Sequence, residues 1–212
     1  GGVSSIAVRP DGKIIIAGSF NTVGSVSKRG VARLNSNGTL DSTFDVGVGS
    51  SDVLVVALLP DGKVLVGGIF TSFNLAPNTS NVARLNTDGS VDSTFLNGAG
   101  VSTTYEVMVQ PDGKILLGGL GSPSVKRLNS DGSADATFNS DLGAVALTIA
   151  LQPDGKILVG GGFDHAGSQP IFKIARLNPN GSLDTSFNTG SGADFHVFDV
   201  AVQPDGKVLI GG

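Results

Sequence analysis

The sequence predicts an all-β chain, a β-propeller of four-stranded antiparallel blades, and three observations carry that prediction. First, the phrase Pro10-Asp11-Gly12-Lys13, followed by the apolar run Ile14-Ile15-Ile16-Ala17-Gly18, returns at Pro60, Pro111, Pro153 and Pro204. An interval of about 50 residues is the size of one propeller blade. Second, each full interval holds four apolar segments of strand length separated by Gly-containing turns, which suits short antiparallel strands. Third, the 3.6-residue period that helical repeats require is absent, and β-helix repeats are far shorter. We expect four complete blades and half of a fifth, as repeats 1–50, 51–100, 101–143 and 144–194 and a partial repeat 195–212. Such a set does not make a whole number of blades. The expectation is therefore an excerpt of a larger ring of about six to eight blades, with completion of the half blade by another chain as the alternative.

In the first repeat the four strands, called a to d, fall at residues 3–9, 13–20, 30–35 and 39–44. Strands a and b are joined by Pro-Asp-Gly: Pro presets φ at the first turn position, Asp suits the second, and Gly takes the left-handed third. Strands c and d are joined by Ser36-Asn37-Gly38, Thr87-Asp88-Gly89, Ser130-Asp131-Gly132 and Pro179-Asn180-Gly181. A three-residue link sets Leu34 opposite Leu40 and Arg33 opposite Asp41, whereas a two-residue link would set Leu34 against Asp41. The three-residue register keeps apolar with apolar and joins opposite charges. The Phe that ends strand d is expected to plug the seam to a neighbouring blade.

The same charge pair recurs as Arg33/Asp41, Arg84/Asp92, Arg127/Asp135 and Arg176/Asp184. A catalytic pair is needed once, not once per repeat, so these read as structural ion pairs that fix hairpin register. The other reading is a repeated anion or carboxylate site built on Arg.

Composition narrows function by exclusion. The net charge is −4 and the 14 basic residues are scattered singly, so nothing clusters to neutralise a phosphate backbone, and no nucleic-acid partner is expected. No apolar run approaches the roughly 20 residues that cross a bilayer, so no membrane insertion is expected. The chain opens Gly1-Gly2-Val3 without a charged-then-apolar leader and reads as processed or excerpted. Absence of Cys leaves the compartment open.

Candidate chemistry is sparse. Asn86-Thr87-Asp88-Gly89-Ser90-Val91-Asp92 places oxygen side chains as part of a calcium loop would, but Asn37 and Asn180 stand at the Asp position in other copies and no bidentate Glu follows. The hairpin demands Asn-Gly or Asp-Gly in any case, and no metal is expected. With no Gly-rich phosphate loop between strand and helix, no cofactor is expected either. His165 follows Asp164 and His196 stands in another link, but no nucleophile, base and orienting acid gather around them.

Because strand direction alternates, the a–b and c–d turns share one rim and the b–c and d–a links the other. The first rim is nearly constant between copies. On the second, links 21–29, 71–81 and 164–173 differ throughout, and 121–125 is short. Loops on a rigid scaffold carry recognition, so this variable rim is the candidate binding face. Its large or titratable residues outside the repeat are Phe73, His165, Phe172, Phe195 and His196.

The phrases from Leu151 to Gly161 (Leu-Gln-Pro-Asp-Gly-Lys-Ile-Leu-Val-Gly-Gly) and from Ala175 to Phe187 (Ala-Arg-Leu-Asn-Pro-Asn-Gly-Ser-Leu-Asp-Thr-Ser-Phe) resemble the delta-60 repeat, a bacterial propeller-type repeat. The resemblance covers almost the whole chain, and the first phrase is more distantly similar to the NHL-type repeat. It implies a secreted or cell-surface bacterial protein, large and multidomain, with further blades or domains in the same polypeptide and no established enzymatic activity for the repeat. It supplies no functional residues. The third copy departs from the pattern, with Leu120 in place of the Phe at Phe20, Phe70 and Phe163, and Lys126 in place of the Ala before Arg-Leu-Asn. The expected function is a non-catalytic binding or scaffold module that recognises a protein or glycan through the variable rim. The alternative is a polysaccharide-acting enzyme, lyase or hydrolase, which would show one non-repeated cluster of acid, base and cation.

Overall fold

The computed structural model describes residues 1–50, 52–98 and 100–212, and among them there is no helix. Unit 1 contains β1 (Val3–Val8), β2 (Ile14–Gly18), a small ribbon of β3 (Thr22–Val23) and β4 (Val26–Ser27), and β5 (Val31–Leu34). Unit 2 contains β6 (Val53–Leu58), β7 (Val64–Gly68) and β8 (Val82–Leu85), and unit 3 contains β9 (Thr103–Val109), β10 (Ile115–Leu120) and β11 (Val125–Leu128). Unit 4 contains β12 (Ala146–Leu151), β13 (Ile157–Gly161), the ribbon β14 (His165–Ala166) and β15 (Gln169–Pro170), and β16 (Ile174–Leu177). The hairpin β17 (Asp199–Val202) and β18 (Val208–Gly211) follows. Each unit is an antiparallel sheet in the order a–b–c.

Strand d is shorter than the sequence suggests. It pairs with strand c through one bridge per unit, Leu34 with Leu40, Leu85 with Val91, Leu128 with Ala134 and Leu177 with Leu183. The next residue bends the chain away. Asp41 Oδ1 accepts hydrogen bonds from the Thr43 amide at 3.0 Å and the Thr43 hydroxyl at 2.6 Å, an Asx-type turn that competes with a continuing ladder. Each unit is thus three ladder strands and a one-bridge fourth, a correction to four full strands. The register is the three-residue one, with the Asp41 amide donating to the Arg33 carbonyl at 2.9 Å.

Strands a of successive units lie beside one another, β1 by β6, β6 by β9, β9 by β12 and β12 by β17, so a is the innermost strand. Apolar side chains fill the seams between units. Ile15 and Ala17 of unit 1 cluster with Val56, Val64 and Val66 of unit 2, and Phe44 closes that seam at 1% exposure. Phe95 and Phe138 are buried in the two seams that follow.

Candidate functional site

The constant rim is built around one guanidinium per unit. Arg33 Nε donates to Asp41 Oδ2 at 2.7 Å, Nη2 to Thr43 Oγ1 at 3.1 Å, and Nη1 to the Thr87 carbonyl of the next unit at 2.7 Å. Its guanidinium carbon also stands 4.7 Å from the centre of the Phe44 ring, within cation–π range. Arg84 reaches Ser130 O and Arg127 reaches Pro179 O, both at 2.6 Å. Arg176 keeps Asp184 and Ser186 but makes no such forward bond among the described residues. The residue after each Phe adds a second link: the amides of Asp45, Leu96 and Asn139 donate to the carbonyls of Asp88, Asp131 and Asn180.

Lysine completes each cluster. Lys13 Nζ lies 2.7 Å from Asp41 Oδ2, Lys63 2.8 Å from Asp92, Lys114 2.7 Å from Asp135 and Lys156 2.9 Å from Asp184. For Asp41 the Lys13 ammonium, then Thr43 and Arg33, hold the carboxyl far below the usual carboxylate range against the opposing effect of burial. Around Asp92 burial is the largest influence and acts upward, yet Lys63, Thr94 and Arg84 together pull the carboxyl far down. Such groups stabilise the fold above the ordinary carboxylate pKa, and that contribution is lost as pH falls. All three nitrogens of the Arg and both oxygens of the Asp are engaged within the scaffold in units 1 to 3, which leaves little for an anion.

The same rim carries a depression of about 1000 Å³ near the inner strands, lined by Pro10, Pro60, Pro111, Leu58, Leu59 and Val109. The carboxylates at its edge turn inward to the hairpins, with Asp11 and Asp61 each accepting from the lysine amide two residues on at 3.1 Å.

On the variable rim the five singled-out side chains separate. Phe195 stacks on His196 with ring centres 4.8 Å apart, and His196 meets Phe198 edge-on at 6.1 Å. Phe195 is 66% and Phe198 56% exposed. Phe172 is half-exposed, and its carbonyl accepts from the Ala193 amide of the link that leads to Phe195. His165 lies apart over Gly143, with Nδ1 2.5 Å from Asp164 Oδ1. Phe73 is fully buried and packs edge-on against Phe70 at 5.7 Å. It supports its own loop and cannot touch a partner, which removes it from the contact set.

Two features of this structure carry a signal in the sequence. A lysine follows every Pro-Asp-Gly, a repetition that marks it as part of the ion cluster. Glu106 is the chain's single glutamate and stands on β9 where β1, β6 and β12 carry Ser5, Val55 and Thr148 and β17 carries Asp199. Burial pushes its carboxyl up to about 7, with a smaller upward effect from Asp199 and an opposing bond from the Val107 amide. Among the described residues no three His, Cys, Asp or Glu side chains gather as a metal would require.

The pattern that defines the family described as "Domain of unknown function (DUF5122) beta-propeller" matches residues 9–44, 59–95, 110–138 and 152–187. The chain belongs to this family. It is a delta-60-type β-propeller repeat family, and the matched stretches run from the a–b turn to the Phe that closes each seam. No curated protein matches in sequence. Among solved structures, this member of the family is similar to an extracellular domain attributed to a hybrid two component system of B. thetaiotaomicron, with TM-score 0.67 and 16% identity over 98% of this chain and 25% of that one. The chain thus spans a quarter of the length of that extracellular domain. It is also similar to virginiamycin B lyase from Staphylococcus aureus, with TM-score 0.62 and 16% identity over 99% of this chain and 62% of that one. A third likeness is PorZ, a surface component of the type-IX secretion system of Porphyromonas gingivalis, with TM-score 0.60 and 14% identity over 98% and 30%. At these identities the likeness establishes the propeller fold alone.

Proposed function

We propose that the chain is a non-catalytic binding or scaffold module of a secreted or cell-surface bacterial protein, which recognises a protein or glycan through the variable rim. The observation that carries this reading is Phe195, 66% exposed and stacked on the half-buried His196, on the rim opposite the one whose polar groups are occupied by the Arg–Asp–Lys clusters. Phe172 and His165 extend the contact set along the same rim. An aromatic face left in water is a common mark of an interaction site. The extracellular setting of two structural relatives supports the localisation. We read the units as part of a larger ring of about six to eight blades. The support is that Ile6 and Val8 of β1 are exposed, while Val56 at the place of Ile6 in unit 2 is buried against its neighbour.

The test uses a panel of bacterial surface polysaccharides and cell-envelope proteins immobilised for biolayer interferometry. Phe195→Ala and His196→Ala should each lower affinity for the bound ligand at least tenfold with the melting temperature preserved. Affinity that survives both changes and falls on substitution of Leu59 or Pro60 would move the site to the opposite rim.

The enzyme reading, a polysaccharide lyase or hydrolase, rests on one observation, that β9 and β17 carry the acids Glu106 and Asp199 where the other innermost strands carry none, with burial raising the Glu106 carboxyl. Turnover of any polysaccharide in the panel that is abolished by Glu106→Gln would favour it.

A further inference from the structure

Link 71–81 differs from its counterparts in what it shows to water. The ribbons of units 1 and 4 turn at Gly24-Ser25 and Gly167-Ser168, with left-handed φ at the two glycines. In unit 2 the bridge between Phe73 and Ala76 encloses Asn74 and Leu75 instead, with φ of 50° and 60°. Leu75 is the one large apolar residue with a positive φ among the described residues. L-residues pay a steric penalty there, and Asn tolerates it better than Leu. Leu75 is also 82% exposed, so no burial offsets the strain.

The tip is nevertheless held firmly. The Thr79 hydroxyl is buried, accepts from the Phe73 amide at 2.7 Å and donates to the Ala76 carbonyl at 2.7 Å. Asn74 binds the preceding d–a link in both directions, its amide donating to Gly49 O at 3.2 Å and its Oδ1 accepting from the Val48 amide at 2.9 Å. That link presents Val48, 56% exposed. Asn74 thus ties the loop tip that carries Leu75 to the link that carries Val48, on the variable rim and above the buried Phe73. Backbone strain that the surroundings enforce points toward function rather than stability.

We propose that Leu75 is the apolar anchor by which this rim engages a protein partner, its side chain entering an apolar pocket on the partner's surface with Val48 at the pocket's edge. The inference rests on the variable rim being the binding face and names the partner class. An aliphatic side chain offers a glycan neither a stacking face nor a hydrogen bond. A lipid surface would call for basic residues, and link 71–81 contains no Lys or Arg. A preorganised apolar side chain entering a partner's pocket is how interface anchors gain affinity.

Two measurements test this. The melting temperature of the chain should rise by about 2–4 °C in Leu75→Asn, because the left-handed strain is relieved and no buried contact is lost; an unchanged or lower value overturns the proposal. A diazirine amino acid placed at 75, and separately at Ser25 and Phe195, reports contacts in cells that express the protein. The expected result is a discrete protein adduct at 75 and none at 25, suppressed at least tenfold by excess wild-type chain and not by excess Leu75→Asn. No adduct at 75, or equal competition by the variant, overturns it. Adducts at 195 alone would leave the rim reading standing and remove Leu75. Co-flotation with vesicles of phosphatidylethanolamine and phosphatidylglycerol that depends on Leu75 would assign the tip to lipid and also overturn the proposal.

Discussion

Replacing Arg84 with Ala removes four contacts at once, and the repeat supplies its own control. The pair with Asp92 at 2.8 Å is a hydrogen bond to a charged group, worth about 1.5–3 kcal/mol net. Asp92 is not orphaned by the change, since Lys63 at 2.8 Å and the Thr94 hydroxyl at 2.6 Å stay in place, so the lower half of that range applies. The bond to the Ser130 carbonyl at 2.6 Å adds about 1 kcal/mol, and the Phe95 ring 4.7 Å away adds about 0.5–1 kcal/mol. The sum is about 3–4 kcal/mol. Arg127 makes the same set, to Asp135 at 2.7 Å and the Pro179 carbonyl at 2.6 Å with the Phe138 ring at 4.7 Å, so Arg127→Ala should cost the same within about 0.5 kcal/mol. Urea denaturation followed by tyrosine fluorescence and far-ultraviolet circular dichroism measures both. Arg84→Lys should recover less than half of the loss, because an ammonium cannot span three fixed acceptors. A loss below about 2 kcal/mol at both 84 and 127 would show that the bond across units contributes nothing and refute the reasoning.

Two further predictions use the same assay. Gly89 has φ +93°, and an added Cβ would come within 2.8 Å of the Asp45 backbone of the preceding blade, whereas Gly38 has φ +84° and open space around it. Gly38→Ala should cost about 1–2 kcal/mol from conformation alone, and Gly89→Ala at least twice that; equal costs would show that the close approach is unimportant. Glu106→Gln tests the buried acid. A carboxyl whose pKa rises from 4.5 unfolded to about 7 folded contributes its full share below pH 4.5 and loses it progressively as pH climbs to 7. The variant should therefore match the wild type near pH 4.5 and exceed it by about 2–3 kcal/mol at pH 8; a constant difference across that range would rule out the burial argument.

Turns and periodicity were legible in the sequence because they depend on local chemistry. Pro-Asp-Gly and the Gly-ending c–d links specify hairpins almost by themselves, and the c–d register followed from keeping Leu34 with Leu40. Strand d is cut short for an equally local reason: an Asp two residues before Thr or Ser favours an Asx turn over continued pairing. Contacts between units were not legible. That Arg33 reaches Thr87, 54 residues on, depends on how far one unit is rotated from the next, which no turn preference encodes. Exposure on the variable rim was illegible as well: Phe73 and Phe195 are both aromatics outside the repeat, yet one is core and the other surface, since only the former has a loop folded over it. Leu75 carries no sequence signal beyond standing where other copies have Ser.

The forward reach of each arginine has a bearing on how such a chain changes over generations. Each of the first three junctions joins an arginine and the amide after the closing Phe of one unit to the c–d turn of the next, so a newly copied unit brings a matching half for each neighbour. Insertion or loss of a whole unit therefore leaves the remaining junctions as they were, and the count of blades can drift without redesign of any one of them. Unit 3 shows how little the opposite rim enters into this: its 121–125 link is the shortest of the set, yet the bonds from Arg84 into it and from Arg127 out of it are both 2.6 Å. Loops can diversify copy by copy on a wheel whose spokes stay interchangeable.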